Sequence, residues 1–319
     1  MAGGEERGAP GGAGAAVVVT GSCGRVGRAA VLALAGGGWD VRGLDAAAAP
    51  PAFARAAAAA ARAAGAAPPE LRRAELGPEV LGELLRGACA LVHLAAVSDD
   101  AAFASALLPH NVVAAEAAVA AAEREARDRQ SRGRGGGPFA LIVASSGKVH
   151  VGHAGGLPIR AVSPPTPRCA YGATKLFAEA LAQAAAHASG GCLRSAAVRF
   201  AWCPRTASDV DRMVAASVSP GAGWDEYLSP RDAGACITAL VSRLAGEAPS
   251  APPYSLVFCQ SLPRGGQQRF DLETVKSLCG WEPRDTFPDG IDAIRDDREY
   301  AGAFKTFNLN ESYHFSGKY

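Results

Sequence analysis

The sequence lacks several features that would place it in large classes of protein. Its 32 Lys and Arg residues nearly balance its 31 Asp and Glu residues, so no charge excess indicates nucleic acid or an anionic membrane as partner. No uninterrupted apolar run reaches the roughly 18 residues that span a bilayer, because Gly, Arg, Asp and Glu interrupt every candidate. We therefore expect a cytoplasmic protein whose partner is a small molecule, with no nucleic acid and no membrane.

Close cysteine pairs are also missing. The eight cysteines are scattered between Cys23 and Cys279, which argues against a zinc ribbon or a CxxC redox centre. We expect reduced, mostly buried thiols and no bound metal.

The N-terminus has no apolar core of the kind found in a secretory signal. Residues 1–16 are rich in Gly and Ala and include Glu5 and Glu6, so we expect a flexible leader, with an organellar transit peptide as the alternative. The polar stretch 308–319 is expected to be a tail.

What the sequence does contain is an alternation of short apolar runs with helix-forming stretches. Helices are predicted at Val26 to Ala35 and Val112 to Arg127, whereas the Ala-rich segment 46–67 is compatible with an inserted helix or a mobile loop. Strands are predicted at Val17 to Val19, Trp39 to Leu44, Leu91 to Leu94, Ala140 to Val143 and Ala197 to Phe200. This alternation predicts an α/β fold with a Rossmann-type doubly wound parallel sheet.

A glycine-rich turn joins the first strand to the first helix. In the segment Thr20 to Gly27 the glycines have the spacing GxxGxxG. Gly21 allows a tight turn, Gly24 lets the backbone approach a pyrophosphate, and Gly27 lets the helix pack close to the sheet. The turn therefore predicts a dinucleotide site.

Asp45 closes the second strand about 20 residues further on, where an acid binds the adenosine ribose hydroxyls. A carboxylate there repels the 2′-phosphate of NADP, so we favour NAD. Arg25 or Arg42 could instead neutralise that phosphate, and Asp45 could simply cap the strand end.

The segment Tyr171 to Lys175 places a phenol and an ammonium four residues apart, on one face of a helix. A phenol has a pKa of about 10, and a neighbouring ammonium lowers it by favouring the phenolate. Ser145 and Ser146 follow an apolar strand, at the carboxyl end of the sheet where open α/β proteins bind ligands.

With these motifs the chain resembles the extended short-chain dehydrogenase/reductase family, the NAD-dependent sugar epimerase/dehydratase group. The resemblance runs from about Val17 to Trp281 and includes His93-Leu94-Ala95-Ala96 and Asn111-Val112, in the family's order. It implies that Tyr171 is the acid/base, that Lys175 lowers its pKa and holds the nicotinamide ribose, and that Ser146 binds the reacting oxygen.

The resemblance also implies a wider set of contacts. Asn111 would position the active-site helix or a water, and His93 would be structural. Residues assigned to the cofactor are Gly21, Cys23, Gly24, Arg25, Val26, Gly27, Asp45, Glu75, Leu76, Leu94, Ala95, Ala96, Asn111 and Lys175. Residues assigned to the substrate are Ser98, Ser146, Lys148, His150 and Arg212, with surface charge as the alternative for Lys148, His150 and Arg212.

We expect residues 17–201 to form the NAD-binding domain and residues 202–307 a small C-terminal substrate-binding lobe interleaved with it. A small lobe favours the uronate dehydrogenase branch of the family over enzymes that hold a nucleotide sugar, and Arg212 would bind the sugar carboxylate bidentately. The alternatives are a nucleotide-sugar epimerase or dehydratase with tightly bound NAD and a non-catalytic NAD-binding regulatory protein. A homodimer is also left open.

Overall fold

A seven-stranded parallel sheet organises the chain in the computed structural model, which describes residues 14–98, 100–133, 137–204, 211, 226–246, 251–263, 267–287 and 289. The strands are β1 (Ala16–Thr20), β2 (Asp40–Asp45), β3 (Glu70–Arg73), β4 (Ala88–His93), β5 (Phe139–Ser146), β6 (Leu193–Phe200) and β7 (Tyr254–Cys259). Their order is β3-β2-β1-β4-β5-β6-β7, with every neighbouring pair parallel.

Helices cover both faces of this sheet, as parallel strands require. The α-helices are α1 (Arg25–Gly36), α2 (Pro51–Ala63), α3 (Pro78–Leu85), α4 (Ala114–Ser131), α5 (Ala170–Ala188), α6 (Pro230–Ala245) and α7 (Glu273–Cys279). Helices α1, α2 and α6 bury their apolar side chains in the core on one face, and α3, α4 and α5 do so on the other. The predicted Rossmann-type fold is confirmed.

The sheet order places a ligand crevice between β1 and β4. The chain runs outward from β1 through β2 to β3, then returns to β4 on the other side of β1. Ligands of open α/β sheets bind outside the carboxyl ends of the strands at this reversal. Thr20 ends β1 and His93 ends β4, and the register pairs these two residues.

The Ala-rich segment that sequence left open is a regular element. It forms α2, the crossover between β2 and β3, and buries Phe53, Ala57 and Ala61. Its Ala side chains allow close packing of α2 beside α1.

Helical structure before α4 starts earlier than the predicted helix Val112 to Arg127. A π-helix, Phe103–Val113, runs directly into it even though Pro109 lies inside that segment. The continuous helix Phe103–Ser131 has the length and composition to cross a bilayer, a test that core helices of soluble proteins also pass. In this fold α4 packs its Ala118, Ala122 and Ala126 into the core under the sheet.

The expected boundary near residue 201 does not divide the sheet, because β7 pairs with β6 and α6 packs against α1. The described part of the predicted lobe therefore contributes strand β7 to the nucleotide-binding sheet. Most of residues 1–16, the tail 308–319 and Arg212 lie outside the described residues.

Candidate active site

The glycine turn between β1 and α1 is built on close backbone contacts. Gly21 has a φ of +67°, and a Cβ there would lie 2.7 Å from the backbone nitrogen of Ala95. A Cβ on Gly27 would lie 2.0 Å from the carbonyl oxygen of Gly21. Two of the three glycines are thus required, Gly21 by the packing of the turn against the loop after β4 and Gly27 by the packing of α1 against the turn.

The start of α1 suits an anion. Helix α1 begins at Arg25, its N-cap Gly24 supplies no side-chain hydrogen bond, and its first turn carries no acidic residue. The first N–H groups of a helix lack intrahelical acceptors and carry a partial positive charge. The N–H of Gly24 donates to the carbonyl oxygen of Gly21 at 3.0 Å, so a pyrophosphate would be bound by the N–H groups of the first helical turn, at Arg25 and Val26.

Asp45 holds this turn in place. Its Oδ2 accepts a 2.8 Å hydrogen bond from the backbone N–H of Cys23, and its Oδ1 accepts a 2.9 Å bond from that of Ala47. Each carboxylate oxygen keeps a further lone pair for a ribose hydroxyl. The strand-capping role and the ribose-binding role that sequence left as alternatives are thus compatible.

Arg42 points away from the ribose position. Its Nη1 donates to the carbonyl oxygens of Leu84 and Arg86 at the end of α3, at 2.7 and 3.1 Å. Its guanidinium is therefore committed elsewhere, and Arg42 no longer weakens the expectation of NAD. Glu75 and Leu76 follow β3, with Glu75 exposed and Leu76 packed against the core.

The loop after β4 forms the other wall of the crevice. Leu94 donates its N–H to the carbonyl of Thr20 at 3.2 Å, and Ala95 donates to the Thr20 hydroxyl at 3.4 Å. These hydrogen bonds hold Leu94 and Ala95 beside the start of the glycine turn, and Ala96 comes next in the same loop. His93 is buried with its Nδ1 2.9 Å from the Thr20 hydroxyl, and burial lowers its pKa to about 3, helped by the charge of Lys175.

Asn111 ties this loop to the helix that carries Tyr171. Its Oδ1 accepts from the N–H of Val97 at 2.8 Å, and its Nδ2 donates to the Val97 carbonyl at 3.0 Å and the Thr174 hydroxyl at 3.1 Å. These bonds use both amide hydrogens, so of the two roles that sequence left open the geometry favours positioning the helix. Ser98 is exposed at the end of the same loop.

Tyr171 and Lys175 lie one turn apart on α5, both largely buried, at 7% and 6% exposure. The Nζ of Lys175 lies 5.5 Å from the centre of the Tyr171 ring. Burial lowers the pKa of Lys175 to about 8, and no carboxylate of the described chain pairs with it. The positive charge is therefore available to the phenol beside it.

Ser146 ends β5 next to the first turn of α5. Its hydroxyl accepts a 3.2 Å hydrogen bond from the N–H of Lys148. A Cβ on Gly172 would lie 3.2 Å from the carbonyl oxygen of Lys148, so α5 begins against the short 3₁₀ turn Gly147–His150 that follows Ser146. The chain thus brings Ser146, Tyr171 and Lys175 to one end of the sheet.

His150 differs from the expectation of a substrate contact. It is 1% exposed, and its Nε2 lies 2.8 Å from Nη1 of Arg199. Burial first, and then the charge of Arg199, lower its pKa to about 4. The imidazole lies in the core because the 3₁₀ turn directs it beneath the sheet end, whereas Lys148 of the same turn is partly exposed. The proposed contact of Arg212 lies outside the described residues.

Two residues that anchor α5, Asp100 and Glu179, were not predicted from the sequence. Asp100 accepts the N–H of Tyr171 at 3.2 Å, and Glu179 pairs with Arg199 at 2.8 Å inside the core. Glu179 follows Lys175 by four residues, so helical spacing alone would have placed it on the same face. Across the described ranges, no group of three or more His, Cys, Asp or Glu side chains is arranged to hold a metal ion.

Known proteins with the same fold include sugar-modifying enzymes. Uronate dehydrogenase from Agrobacterium tumefaciens superimposes with a TM-score of 0.60 at 21% identity, covering 89% of each chain. UDP-glucose-4-epimerase from Stenotrophomonas maltophila, with bound NAD, has a TM-score of 0.65 at 18% identity, covering 91% of this chain and 99% of that one. Glucuronic acid dehydrogenase from Chromohalobacter salexigens has a TM-score of 0.61 at 20% identity and covers 88% of each chain.

At the level of sequence, no curated protein is detectably similar to this chain. A profile of the NAD dependent epimerase/dehydratase family matches residues 17–216, which is more than half of the 319 residues. The match spans the glycine turn, Asp45, Ser146, Tyr171 and Lys175. The chain belongs to the NAD-dependent epimerase/dehydratase family.

Proposed function

We propose that this chain oxidises a hydroxyl group of a sugar or sugar acid with NAD as hydride acceptor, using Tyr171 as the acid/base. The observation that carries the proposal is the buried ammonium of Lys175, 5.5 Å from the Tyr171 ring and without a carboxylate partner in the described chain. An uncompensated buried charge is costly. The ammonium of Lys175 would offset this cost by stabilising negative charge on the phenol oxygen of Tyr171.

The residues present fit the dinucleotide. The first turn of α1 offers N–H groups to the pyrophosphate, Asp45 offers carboxylate lone pairs to the adenosine ribose, and Lys175 would hold the nicotinamide ribose. NAD, when bound, supplies the hydride acceptor. The protein has to orient the substrate and manage one proton.

Proton transfer follows from the positions of three side chains. Tyr171 would take the proton of the substrate hydroxyl, while Ser146 would hold the same oxygen by a hydrogen bond. Lys175 stays mostly protonated at pH 7, since its pKa of about 8 lies above that pH. Its charge therefore supports the phenolate throughout the neutral range.

The size of the C-terminal lobe does not select the substrate. The sequence favoured a free sugar acid because the lobe is short, yet a UDP-glucose epimerase is matched over 99% of its length. That similarity supports a nucleotide-sugar epimerase as the second candidate, whereas the uronate and glucuronic acid dehydrogenases support the first.

Two substrate pools separate the candidates. With a free uronic acid or aldose, a dehydrogenase produces NADH that accumulates in solution. With a UDP-sugar, an epimerase changes the sugar configuration without net NADH. A chain that binds NAD and turns over neither pool would support the third alternative, a regulatory protein.

Replacing the phenol tests the mechanism. In Tyr171→Phe turnover should be abolished, while NAD binding measured by calorimetry survives. Unchanged turnover would refute the assignment of Tyr171.

The cofactor preference rests on Asp45. We expect wild-type protein to bind NAD more tightly than NADP, and Asp45→Asn to narrow that ratio by removing the charge. The two dissociation constants for each protein decide this, and a wild-type preference for NADP would overturn it. A cytoplasmic location and a homodimer complete the proposal, to be tested by fractionation and by light scattering.

A further inference from the structure

A buried polar cluster lies directly beneath the proposed catalytic residues. It consists of Ser145, His150, Glu179 and Arg199, each at most 6% exposed. Ser145 precedes Ser146 on β5, and His150 ends the 3₁₀ turn that follows Ser146. Glu179 lies one turn beyond Lys175 on α5, and Arg199 on β6 is the register partner of Ser145.

The hydrogen bonds of this cluster connect every element that carries a catalytic residue. Arg199 donates from Nε and Nη2 to the two oxygens of Glu179, both at 2.8 Å. The Ser145 hydroxyl donates to Oε1 of Glu179 at 2.5 Å. Helix α5 is thereby fixed to both β5 and β6, one residue away from Ser146.

A second branch fixes the turn after Ser146. Nη1 of Arg199 lies 2.8 Å from Nε2 of His150 and donates to the carbonyl oxygen of Ala161 at 3.1 Å. The charged groups that act on His150 are Arg199, His153 and Arg269, all cationic when protonated, so His150 is neutral and accepts from Arg199. Its buried Nδ1 has no hydrogen-bond partner.

Stability alone gives no reason for such a cluster. A buried ion pair often contributes no more stability than two apolar residues of similar volume, because desolvation offsets the attraction between the charges. Its bonds are directional, however, and they set the height and rotation of α5 relative to the end of β5. Catalysis depends steeply on such distances, with about 100-fold lost for a displacement of 1 Å.

We propose that Glu179 is a positioning residue that acts through Ser145 and Arg199 to hold the Tyr171 hydroxyl at the distance from Ser146 that proton transfer needs. This inference rests on the proposed function of Tyr171 and Ser146. It assigns the cluster to the geometry of the transition state rather than to cofactor binding.

The first test compares two buried serines. Ser145 and Ser195 are both buried and both bond to α5, since the Ser195 hydroxyl donates to the carbonyl of Ala182 at 2.9 Å. Ser195 lies at the opposite end of β6 from the catalytic residues. Both Ser→Ala variants should lower the denaturation midpoint, Ser145→Ala by more because its acceptor is a carboxylate, but only Ser145→Ala should lower kcat, by about 10-fold, with the Kd for NAD unchanged.

The second test separates positioning from folding. Glu179→Gln leaves Arg199 buried without a counter-charge, so both stability and kcat should fall. In the double variant Glu179→Gln/Arg199→Met the buried charge is gone, and stability should recover while kcat remains about 10-fold or more below wild type. Recovery of kcat together with stability would show that the cluster serves folding alone and would overturn the proposal.

A third readout needs no turnover. The ionisation of Tyr171 can be followed by phenolate absorbance, as the difference between each protein and its Tyr171→Phe counterpart. In Ser145→Ala we expect this pKa to rise, because a displaced α5 carries the phenolate oxygen away from the Ser146 hydroxyl, whose hydrogen bond would stabilise it. If wild-type protein turns over no sugar, the proposed function fails and this titration still decides the positioning role. An unchanged Tyr171 pKa, with kcat also unchanged where turnover exists, would refute it.

Discussion

Substituting Gly27 by Ala should damage the nucleotide site through a single methyl group. The added Cβ would lie 2.0 Å from the carbonyl oxygen of Gly21, 2.8 Å from its carbonyl carbon and 2.9 Å from Cα of Ser22. All three atoms belong to the backbone, so no side-chain rotation relieves the overlap. Helix α1 has to move away from the turn by about 1 Å before the first contact becomes tolerable.

The expected cost of this movement is about 1–3 kcal/mol of unfolding free energy, the usual range for overpacking a well-packed site. The movement also displaces the N–H groups at the start of α1, so we expect the Kd for NAD to rise by about 10-fold or more. Gly82 provides the control, because it lies exposed inside α3 and a Cβ there would meet nothing within 4 Å. Gly82→Ala should stabilise the protein by about 0.5–1 kcal/mol through helix propensity.

Urea denaturation gives the two stability changes, and calorimetry gives the affinity for NAD. Replacing glycine by alanine should thus destabilise the protein at position 27 and stabilise it at position 82. If the Gly27→Ala protein were as stable as wild type and bound NAD normally, the overlap expected from the backbone distances would be refuted.

The titratable groups buried near the active site give two further predictions. Lys175→Met should abolish turnover and raise the unfolding free energy at pH 7 by on the order of 2 kcal/mol. The gain is expected because burial of the ammonium, which lowers its pKa to about 8, costs the folded wild-type protein free energy. A variant that unfolds at a lower urea concentration than wild type would contradict this. The pKa values of His93 and His150 are lowered to about 3 and 4, so below pH 6.5 the unfolded chain binds protons that the folded chain does not, and stability should fall as the pH falls. His150→Asn should reduce the difference between the denaturation midpoints at pH 7 and pH 5, and an equal difference in both proteins would show that His150 is not among the groups responsible.

Sequence patterns were sufficient where an element carries its own apolar run and a clear stop. Strand β1 and helix α1 were predicted within one residue of their ends, because a valine run meets a glycine turn and the run Gly36-Gly37-Gly38 ends the helix. The π-helix Phe103–Val113 was not predicted, because Pro109 ordinarily ends a helix. The family, its enzymatic character and its NAD dependence were predicted from the motifs, and the family match confirms them.

The residues of the candidate site likewise differ in whether a local sequence pattern predicts them. Tyr171 and Lys175 were found because their relation is local, set by one turn of helix. The pairing of Glu179 with Arg199 depends on how helix α5 packs against strand β6, which brings residues 20 positions apart into contact, and no local pattern contains that information. His150 was expected to contact the substrate, with a surface position as the alternative, whereas the fold buries it as a neutral acceptor beside Arg199.

Strand β3 escaped prediction because its sequence, Glu70-Leu71-Arg72-Arg73, has no apolar run. It is the first strand in the order of the described sheet, so one side of it has no neighbouring strand. Such an edge is a template on which a second chain can add, and charged side chains discourage that addition. The residues that concealed β3 from the sequence pattern therefore protect the enzyme from edge-to-edge aggregation.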